Sequence, residues 1–525
     1  MLSKSQVMRG LQCEKSLWLS KNKPELRQLP SKVVGVFDQG GTVGDLAKKL
    51  FPNGKLISFD GKNLNKMVQE TQQAICEGIK TIYKATFISN GIFSCIDILH
   101  HDHTGWHIYE VKASTKVKWI NITEAGTQYL SVKTFLNIQS INIIYINNKY
   151  EFNEFNEFNE FNEFNEFNEF NEFNEFNEFN EFNEFNEFNE CLNVDALFHI
   201  QNITDKVNEQ TSGLAIKVRQ LQNIVSLNQV PDIDIGTYCA SPYPCDFSKY
   251  CKKHLPKDSV FKIYRMNTVK KYQLYYDGVV SYQQAKENAP LNKMQQLQID
   301  AYLNNTIHVE PKKIENFINK ITYPISYFDF ETFNEAIPRF KGQRPYMQIP
   351  FQYSLHIENS VGELKHKEFL ADENTDPRLP LIKAMLNDFP CQGSIMAFNQ
   401  SFEISRIKEL ARAFPEYKNA LESLIPRFVD LIVPFRNLGY YHPNFHGSFS
   451  IKSILPALFP DDSELDYKAL TIKNGGMAMD TFANLHRLKD KEQLTEIREA
   501  LLTYCKLDTW AMVKIYNKLL SEFQR

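Results

Sequence analysis

The sequence predicts a mixed α/β chain built as two separate units, and three observations carry that reading. An apolar, aromatic-rich run, Ile325-Ser-Tyr-Phe-Asp-Phe-Glu-Thr-Phe-Asn334, has the composition of a buried strand. A short apolar strand beginning at Ser394 runs into a helical pattern through Ile407, Leu410 and Ala411, and a long helix-forming segment starts near Glu492. Far upstream, Gly91–Leu99 and Trp106–Ala113, separated by turn residues His101–Gly105, read as a β-hairpin followed by a helical segment. With 525 residues, 43% hydrophobic and 23% charged, the chain has material for two or three domains with real cores.

Taken in order, the hairpin carries the first chemistry. Asp97 lies on its first strand, and Glu110 and Lys112 share one face of its second. Two acids and a lysine can converge there, the acids holding a metal and the ammonium positioning water or stabilising a charged transition state. The same three residues also suit an ordinary surface salt bridge. Gln128 and Tyr129 follow on the helical segment.

Residues 151–189 are thirteen tandem Glu-Phe-Asn triplets, followed by Glu190. A three-residue period drifts slowly round a helix, so a helix is conceivable and no packed fold is assured. The tract reads as a tolerated insertion between Tyr145–Lys149 and Cys191–Asp195. It also masks the charge of the rest. The formal net charge is -4, but without the fourteen glutamates of the tract 49 acids face 59 Lys+Arg, a net of +10 that suits a polyanionic partner. No apolar run approaches the length of a membrane span and no leader pattern opens the chain, so the expectation is a cytoplasmic protein without a membrane partner.

Four of the nine cysteines cluster by position: Cys13, then Cys239, Cys245 and Cys251. In a reducing compartment such grouping signals metal more than disulfides, although buried free thiols are the alternative. Spacings of five intervening residues fit zinc knuckles poorly.

In the second half, Asp329 and Glu331 sit at i and i+2 on the predicted strand and share a face. Two like charges side by side on a buried face are costly unless a cation such as Mg²⁺ or Mn²⁺ lies between them. The alternative is a strand end facing water. Glu403 falls in the first turn of the helix after Asn399 and Ser401, both good capping types, and Tyr504 and Asp508 project from one face of the last helix. Aromatic and basic groups in Ile337–Phe340, Arg344–Tyr346, Phe351–His356 and Tyr440–Pro443 suit either stacking on a single strand or packing in a core.

An acid pair on a strand, an acid after an Asn-x-x-Phe turn and a Tyr-x-x-x-Asp near the C-terminus resemble, in that order, the DEDD exonucleases of the DnaQ-like, ribonuclease-H-like class, tyrosine subtype. The resemblance covers roughly Tyr323 onward. It implies that Asp329, Glu331, Glu403 and Asp508 bind two divalent metals while Tyr504 orients the attacking water. Glu403 departs from the family's usual Asp, and Asp430 is a substitute or auxiliary acid, or simply a charge at a helix or strand end. The upstream set Asp97, Glu110, Lys112 and Gln128 resembles the RecB-type branch of the PD-(D/E)XK nucleases, although Gly40–Gly44 stands where that branch often carries a histidine. One cysteine before that core and three after it resemble the branch's iron-sulfur staple, which implies a cluster, 4Fe-4S in type, on Cys13, Cys239, Cys245 and Cys251. The stretches Gly447–Ser453 and Asn474–Ala478 and the two-part layout look like a bacterial family known only by a domain of unknown function.

The expected architecture is therefore an α/β chain with a restriction-endonuclease-like domain over residues 1–255, interrupted by the 151–190 insertion, a helical connector over 256–318, and a ribonuclease-H-like 3′–5′ exonuclease domain over 319–525. The expected activity is divalent-metal-dependent hydrolysis of phosphodiester bonds at two separate sites, with DNA favoured over RNA. The competing expectation is a nucleic-acid-binding scaffold in which one or both sites are inactive.

Overall fold

A computed structural model describes residues 1–28, 39–153 and 192–523. The triplet tract beyond residue 153, with Cys191, lies outside the described residues. The described chain is mixed α/β and divides into two compact units: residues 1–28, 39–153, 192–253 and 335–347 form the first, and 254–334 with 348–523 the second. Among the described residues no helix is long and apolar enough to cross a membrane.

The first unit is a seven-stranded mixed sheet. Its strands are β1 (Leu2–Ser3), β2 (Lys55–Leu56), β3 (Thr81–Ser89), β4 (Ile92–Asp102), β5 (Gly105–Lys112), β6 (Ile138–Ile146) and β7 (Phe198–Asn202), with β2 to β7 adjacent in order and β1 pairing with the start of β4. The β3–β4 turn is Asn90-Gly91, both at positive φ, the geometry that two-residue hairpins require. The β4–β5 hairpin closes at Asp102 opposite Gly105, where Asp102 Oδ1 accepts from the Thr104 amide at 2.7 Å. Pairing of β4 with β5 ends at Ile98 opposite Tyr109, while β5 continues beside β6 to Lys112. The sheet thus opens between β4 and β5 just where Asp97 and Glu110 lie.

The longer helices of this unit are α1 (Lys4–Gln12), α2 (Glu14–Asn22), α3 (Gln39–Ala47), α4 (Leu64–Cys76), α5 (Trp119–Val132) and α6 (Thr204–Ile224). One core gathers Ile82, Phe87, Ile96, Ile108 and Ile143 with Met67 of α4 and Ala125 of α5. A second gathers Val43, Ile98, Ile144, Phe152 and Leu192. Phe152 of the first triplet and Leu192, just after the tract, are thereby anchored in one apolar cluster.

The second unit begins with a helical region, α7 (Thr268–Tyr276), α8 (Tyr282–Asn288), α9 (Lys293–Asn304) and α10 (Pro311–Ile318), and with β8 (His308–Val309). Its main sheet comprises β9 (Ile325–Phe333), β10 (Ile349–Glu358), β11 (Leu364–Leu370), β12 (Ile395–Ala397) and β13 (Phe428–Asp430); β14 (Tyr440–Tyr441) pairs with β8. The spatial order is β11-β10-β9-β12-β13, antiparallel over the first three strands and parallel over the last three. Central β9 is buried on both faces, which explains its near-continuous apolar run.

Phe328 and Phe330 point to one side, packing with α11 (Arg378–Asp388), α12 (Ser401–Ala413) and α13 (Lys418–Leu424). Alternation sends Asp329 and Glu331 to the other side. That side carries α15 (Gly475–Leu485) and the 33-residue α16 (Lys491–Phe523), while α14 (Ile451–Leu458) lies between them and the main sheet in sequence. Gly393, before β12, has φ +94, and a Cβ there would fall 2.1 Å from the Pro324 carbonyl oxygen, so only glycine fits.

Candidate functional site

Strand register sets the acid cluster of the second unit. Asp329 pairs with Ser354 and Glu331 with Gln352 across β9 and β10. Helix α16 is fastened over this face: Gln352 Nε2 donates to the Leu501 carbonyl at 2.9 Å, and Ser354 Oγ bonds Thr509 Oγ1 at 2.7 Å. Tyr504 and Asp508, four residues apart on that helix, therefore face β9. One carboxylate oxygen each from Asp329, Glu331 and Asp508 lies within 4.8 Å of the others. Gly475, the first residue of α15, lies against the cluster, where a Cβ would be in ordinary contact with Glu331 Oε2 at 3.5 Å.

This cluster is short of positive charge. Burial first, then the neighbouring carboxylates, pushes Asp329 and Glu331 well above the usual carboxylate range. Burial raises Asp508 to about 6, against hydrogen bonds from Tyr467 and Tyr504. Lys452 of α14 is the cation that opposes the shift in all three. Its Nζ donates to the Lys473 carbonyl at 3.0 Å and to the Tyr504 hydroxyl at 3.2 Å, and stands 4.9 and 5.1 Å from the ring centres of Tyr467 and Tyr504. The Tyr467 hydroxyl donates to Asp508 Oδ1. Burial and the nearby acids push the Tyr504 phenol far up, so it stays protonated.

Glu403 sits in the first turn of α12, 3% exposed, and acts electrostatically on Asp329 and Glu331 from outside the 4.8 Å set. Its Oε2 is buried without a hydrogen-bond partner, and burial, then Asp430, raises its carboxyl to about 7. Asp430 Oδ1 accepts from the Asn399 amide at 2.8 Å and the Ile432 amide at 3.2 Å. Asn399 does not cap α12 as its residue type predicts. It turns the chain at φ +75, and Gln400 occupies the cap position without a side-chain bond.

In the first unit Asp97, Glu110, Lys112 and Gln128 also converge, joined by residues the sequence reading did not include. Asp97 Oδ1 accepts from Lys84 Nζ at 2.7 Å and Oδ2 from the Val111 amide at 2.9 Å. Glu110 Oε1 accepts from Lys4 and, at 2.8 Å, from Lys112; Oε2 accepts from Gln128 Nε2 at 2.6 Å. Lys112 also pairs with Glu124. Burial would raise Glu110, but Lys4 and Lys112 outweigh it and hold it low, whereas burial and the Glu110 charge raise Asp97. Lys84 lies opposite Asp97 between the paired positions of β3 and β4, at φ +57, so the ladder is interrupted at the acid.

The cysteines meet across the chain. Cys13, at the junction of α1 and α2, is electrostatically coupled to Cys245 and Cys239, and Cys251 to the same two. Burial raises the Cys13 thiol to about 11, while amides of Ser16 and Lys15 at the start of α2 point to its sulfur. The Gly236 amide donates to Cys239 Sγ at 3.4 Å. Gln12 Nε2 donates to the Tyr238 and Tyr243 carbonyls, both at 2.7 Å, and Arg9 pairs with Asp246 at 2.9 Å. The N-terminal helices are thereby tied to the loop that carries the other three thiols.

Other expectations resolve differently. Phe351, Tyr353, Tyr440 and Tyr441 are fully buried and belong to the core, so they cannot stack on a strand of nucleic acid. Val43, in the helix that spans Gly40–Gly44, is also core. Lys452 was visible only as part of the polar stretch Gly447–Ser453, and no spacing pointed to Tyr467, Lys4 or Lys84.

A family model described as domain of unknown function (DUF2779) matches residues 326–450, the stretch that carries Asp329, Glu331, Glu403 and Asp430. The chain is 29% identical over 245 residues to an uncharacterized protein of Ureaplasma parvum, covering 42% of this chain and 35% of that protein. It is 27% identical over 219 residues to an uncharacterized protein of Mycoplasma pneumoniae, covering 39% and 33%, and 27% identical over 223 residues to one of Mycoplasma genitalium, with the same coverage. The chain thus spans about a third of the length of the curated relatives it matches. No solved structure matches it.

Proposed function

We propose that the chain is a divalent-metal-dependent nuclease that hydrolyses phosphodiester bonds, with the acid cluster of the second unit as its working centre, DNA favoured over RNA as substrate and the cytoplasm as its compartment. One observation carries this reading: three carboxylates gathered within 4.8 Å over a buried sheet face, with their pKa values raised first by burial and, for Asp329 and Glu331, by one another's charge. The unpartnered Glu403 Oε2 beside them offers a further ligand. Asp329, Glu331, Asp508 and Glu403 would hold Mg²⁺ or Mn²⁺, which when bound supply water activation and charge neutralisation. The chain's own residues supply the rest. Tyr504, kept as a phenol, holds a water through its hydroxyl; Lys452 fixes that hydroxyl and offers an ammonium to developing negative charge; Tyr467 fixes Asp508. A five-stranded mixed sheet with acids on its central strand supports the ribonuclease-H-like assignment and, by resemblance, 3′–5′ exonuclease action.

The first unit favours the second reading. Every carboxylate oxygen of Asp97 and Glu110 already accepts from a donor of the chain, and three ammonium groups surround the two acids. These residues do not fit a divalent ion, and no step is assigned to one there. Lys4, Lys84 and Lys112 are balanced there by Asp97, Glu110 and Glu124, an internal ion-pair network that supports a restriction-endonuclease-like unit without a working cleavage site. Cys13, Cys239, Cys245 and Cys251 would hold an iron-sulfur cluster, a reading supported by their mutual proximity across the chain.

The test is digestion of end-labelled single- and double-stranded DNA and RNA with Mg²⁺ or Mn²⁺. Asp329→Ala should abolish stepwise digestion, and Tyr504→Phe should slow it while leaving Mn²⁺ affinity nearly unchanged. Digestion that survives Asp329→Ala but stops with Asp97→Ala would refute this assignment.

A further inference from the structure

Helix α16 has a second working face. Tyr504 and Asp508 point to the acid cluster, whereas Thr503, Lys506 and Trp510, on other faces of the same turns, line an open cleft of ≈540 Å³ with residues of β10 and β11. That volume falls in the range of small-molecule sites. The cleft is closed at its floor by His356 and His366, a cross-strand pair with ring centres 4.4 Å apart. His356 Nδ1 bonds Thr509 Oγ1 at 2.8 Å and His366 Nε2 bonds Ser354 Oγ at 3.0 Å, so each ring is fixed by one nitrogen. Burial, reinforced by Lys506, holds both rings neutral, at about 3 and about 4. Lys506 and Lys365, the latter in an exposed pair with Glu363 at 3.8 Å, add positive charge against one lining acid, Glu464.

We propose that this cleft binds a nucleoside monophosphate, with the base against Trp510 and the phosphate on Lys506 and Lys365, at a site separate from the acid cluster. An indole plane next to two ammonium groups and two neutral imidazole rings offers what a ring-bearing phosphate needs: stacking, charge and hydrogen-bonding groups that carry no competing negative charge. The floor also adjoins the acid cluster without sharing a residue with it. Thr509 bonds both His356 and Ser354, Ser354 stands opposite Asp329, and Asp508 is the next residue on the helix. Occupancy of the cleft therefore bears on the helical turn that positions Asp508. Binding itself does not depend on the nuclease reading.

Calorimetric titration of the full chain, free of divalent metal, with adenosine 5′-monophosphate and with inorganic phosphate tests this. The nucleotide should bind in the sub-millimolar range and phosphate at least about tenfold more weakly. Lys506→Glu and Trp510→Leu should each weaken the nucleotide by about tenfold, Trp510→Phe less, with thermal melts confirming that the variants fold. Asp329→Ala should leave the affinity unchanged. The proposal is overturned if the nucleotide fails to bind, if phosphate binds as tightly, if both cleft variants bind normally, or if Asp329→Ala removes binding. Loss of nuclease activity in every assay would refute the function proposed above and leave this titration intact.

Discussion

Lys452 holds an unusual position, because it is at once the counter-charge of three buried acids and the group that fixes the Tyr504 hydroxyl. Removing it should pull metal binding and turnover in opposite directions. Lys452→Met removes a like charge from beside the metal position and should tighten Mn²⁺ binding at neutral pH, seen by calorimetry, by about threefold to tenfold, while turnover falls by about tenfold or more. Equal losses in both would mean that the lysine only supports the fold. The acids themselves were legible in the sequence, since alternation on a strand and a four-residue helix step each dictate a shared face without knowledge of the fold. Lys452 and Tyr467 were not, because they reach the cluster from segments whose approach depends on tertiary packing. Glu403 was legible in place but not in role: the structure gives it a free oxygen and an acidic neighbour in Asp430, yet keeps it outside the tight set.

Between β10, β11 and α16 runs a polar seam of Ser354, His356, His366 and Thr509. Both imidazoles are held below the free value of about 6.5, so the folded state resists protonation more than the unfolded chain. Their contribution to stability is therefore whole above about pH 6.5 and is lost as pH falls toward 4, by up to about 1.4 kcal/mol per pH unit for each ring. The groups facing the pair, Lys506 and Glu368 among them, set the size of this effect. The raised acids of the cluster act with the opposite sign, gaining stability as pH falls, so the measurement is the difference between variant and wild type. His356→Gln should flatten the decline of melting temperature between about pH 6 and 4; parallel curves would exclude the seam as its source. Of the elements that hold this seam, the C-terminal helix was readable from apolar period and length, as was the neighbouring strand at Ile325. The cap of α12 was not, because Asn399 satisfies a turn where residue preference alone suggests a helix start.

For the whole molecule, the sequence separates Cys13 from Cys239 by more than two hundred positions, and the fold brings them together through Gln12, Arg9 and the start of α2. Protein purified without oxygen should absorb in the visible with iron near four atoms per chain, as expected of a four-thiolate cluster, and Cys245→Ser should bleach it and lower the melting temperature; stoichiometric zinc without iron would refute the cluster. The anchoring of the described chain on either side of the triplet tract has a different consequence. Phe152 and Leu192 lie in one core cluster, and the Tyr150 hydroxyl is bonded to backbone at Asn193, so the tract leaves and returns at nearly one point. Closure there depends only weakly on how much chain lies between. Deleting whole triplets beyond the first, which supplies Phe152, should therefore leave melting temperature and digestion unchanged, and a deletion that reduces soluble yield would contradict it. At the level of the gene, each triplet is three codons, so strand slippage during replication adds or removes units without shifting the reading frame. The number of triplets should therefore differ among copies of this gene from separate isolates, a length difference that sequencing across the tract would read directly.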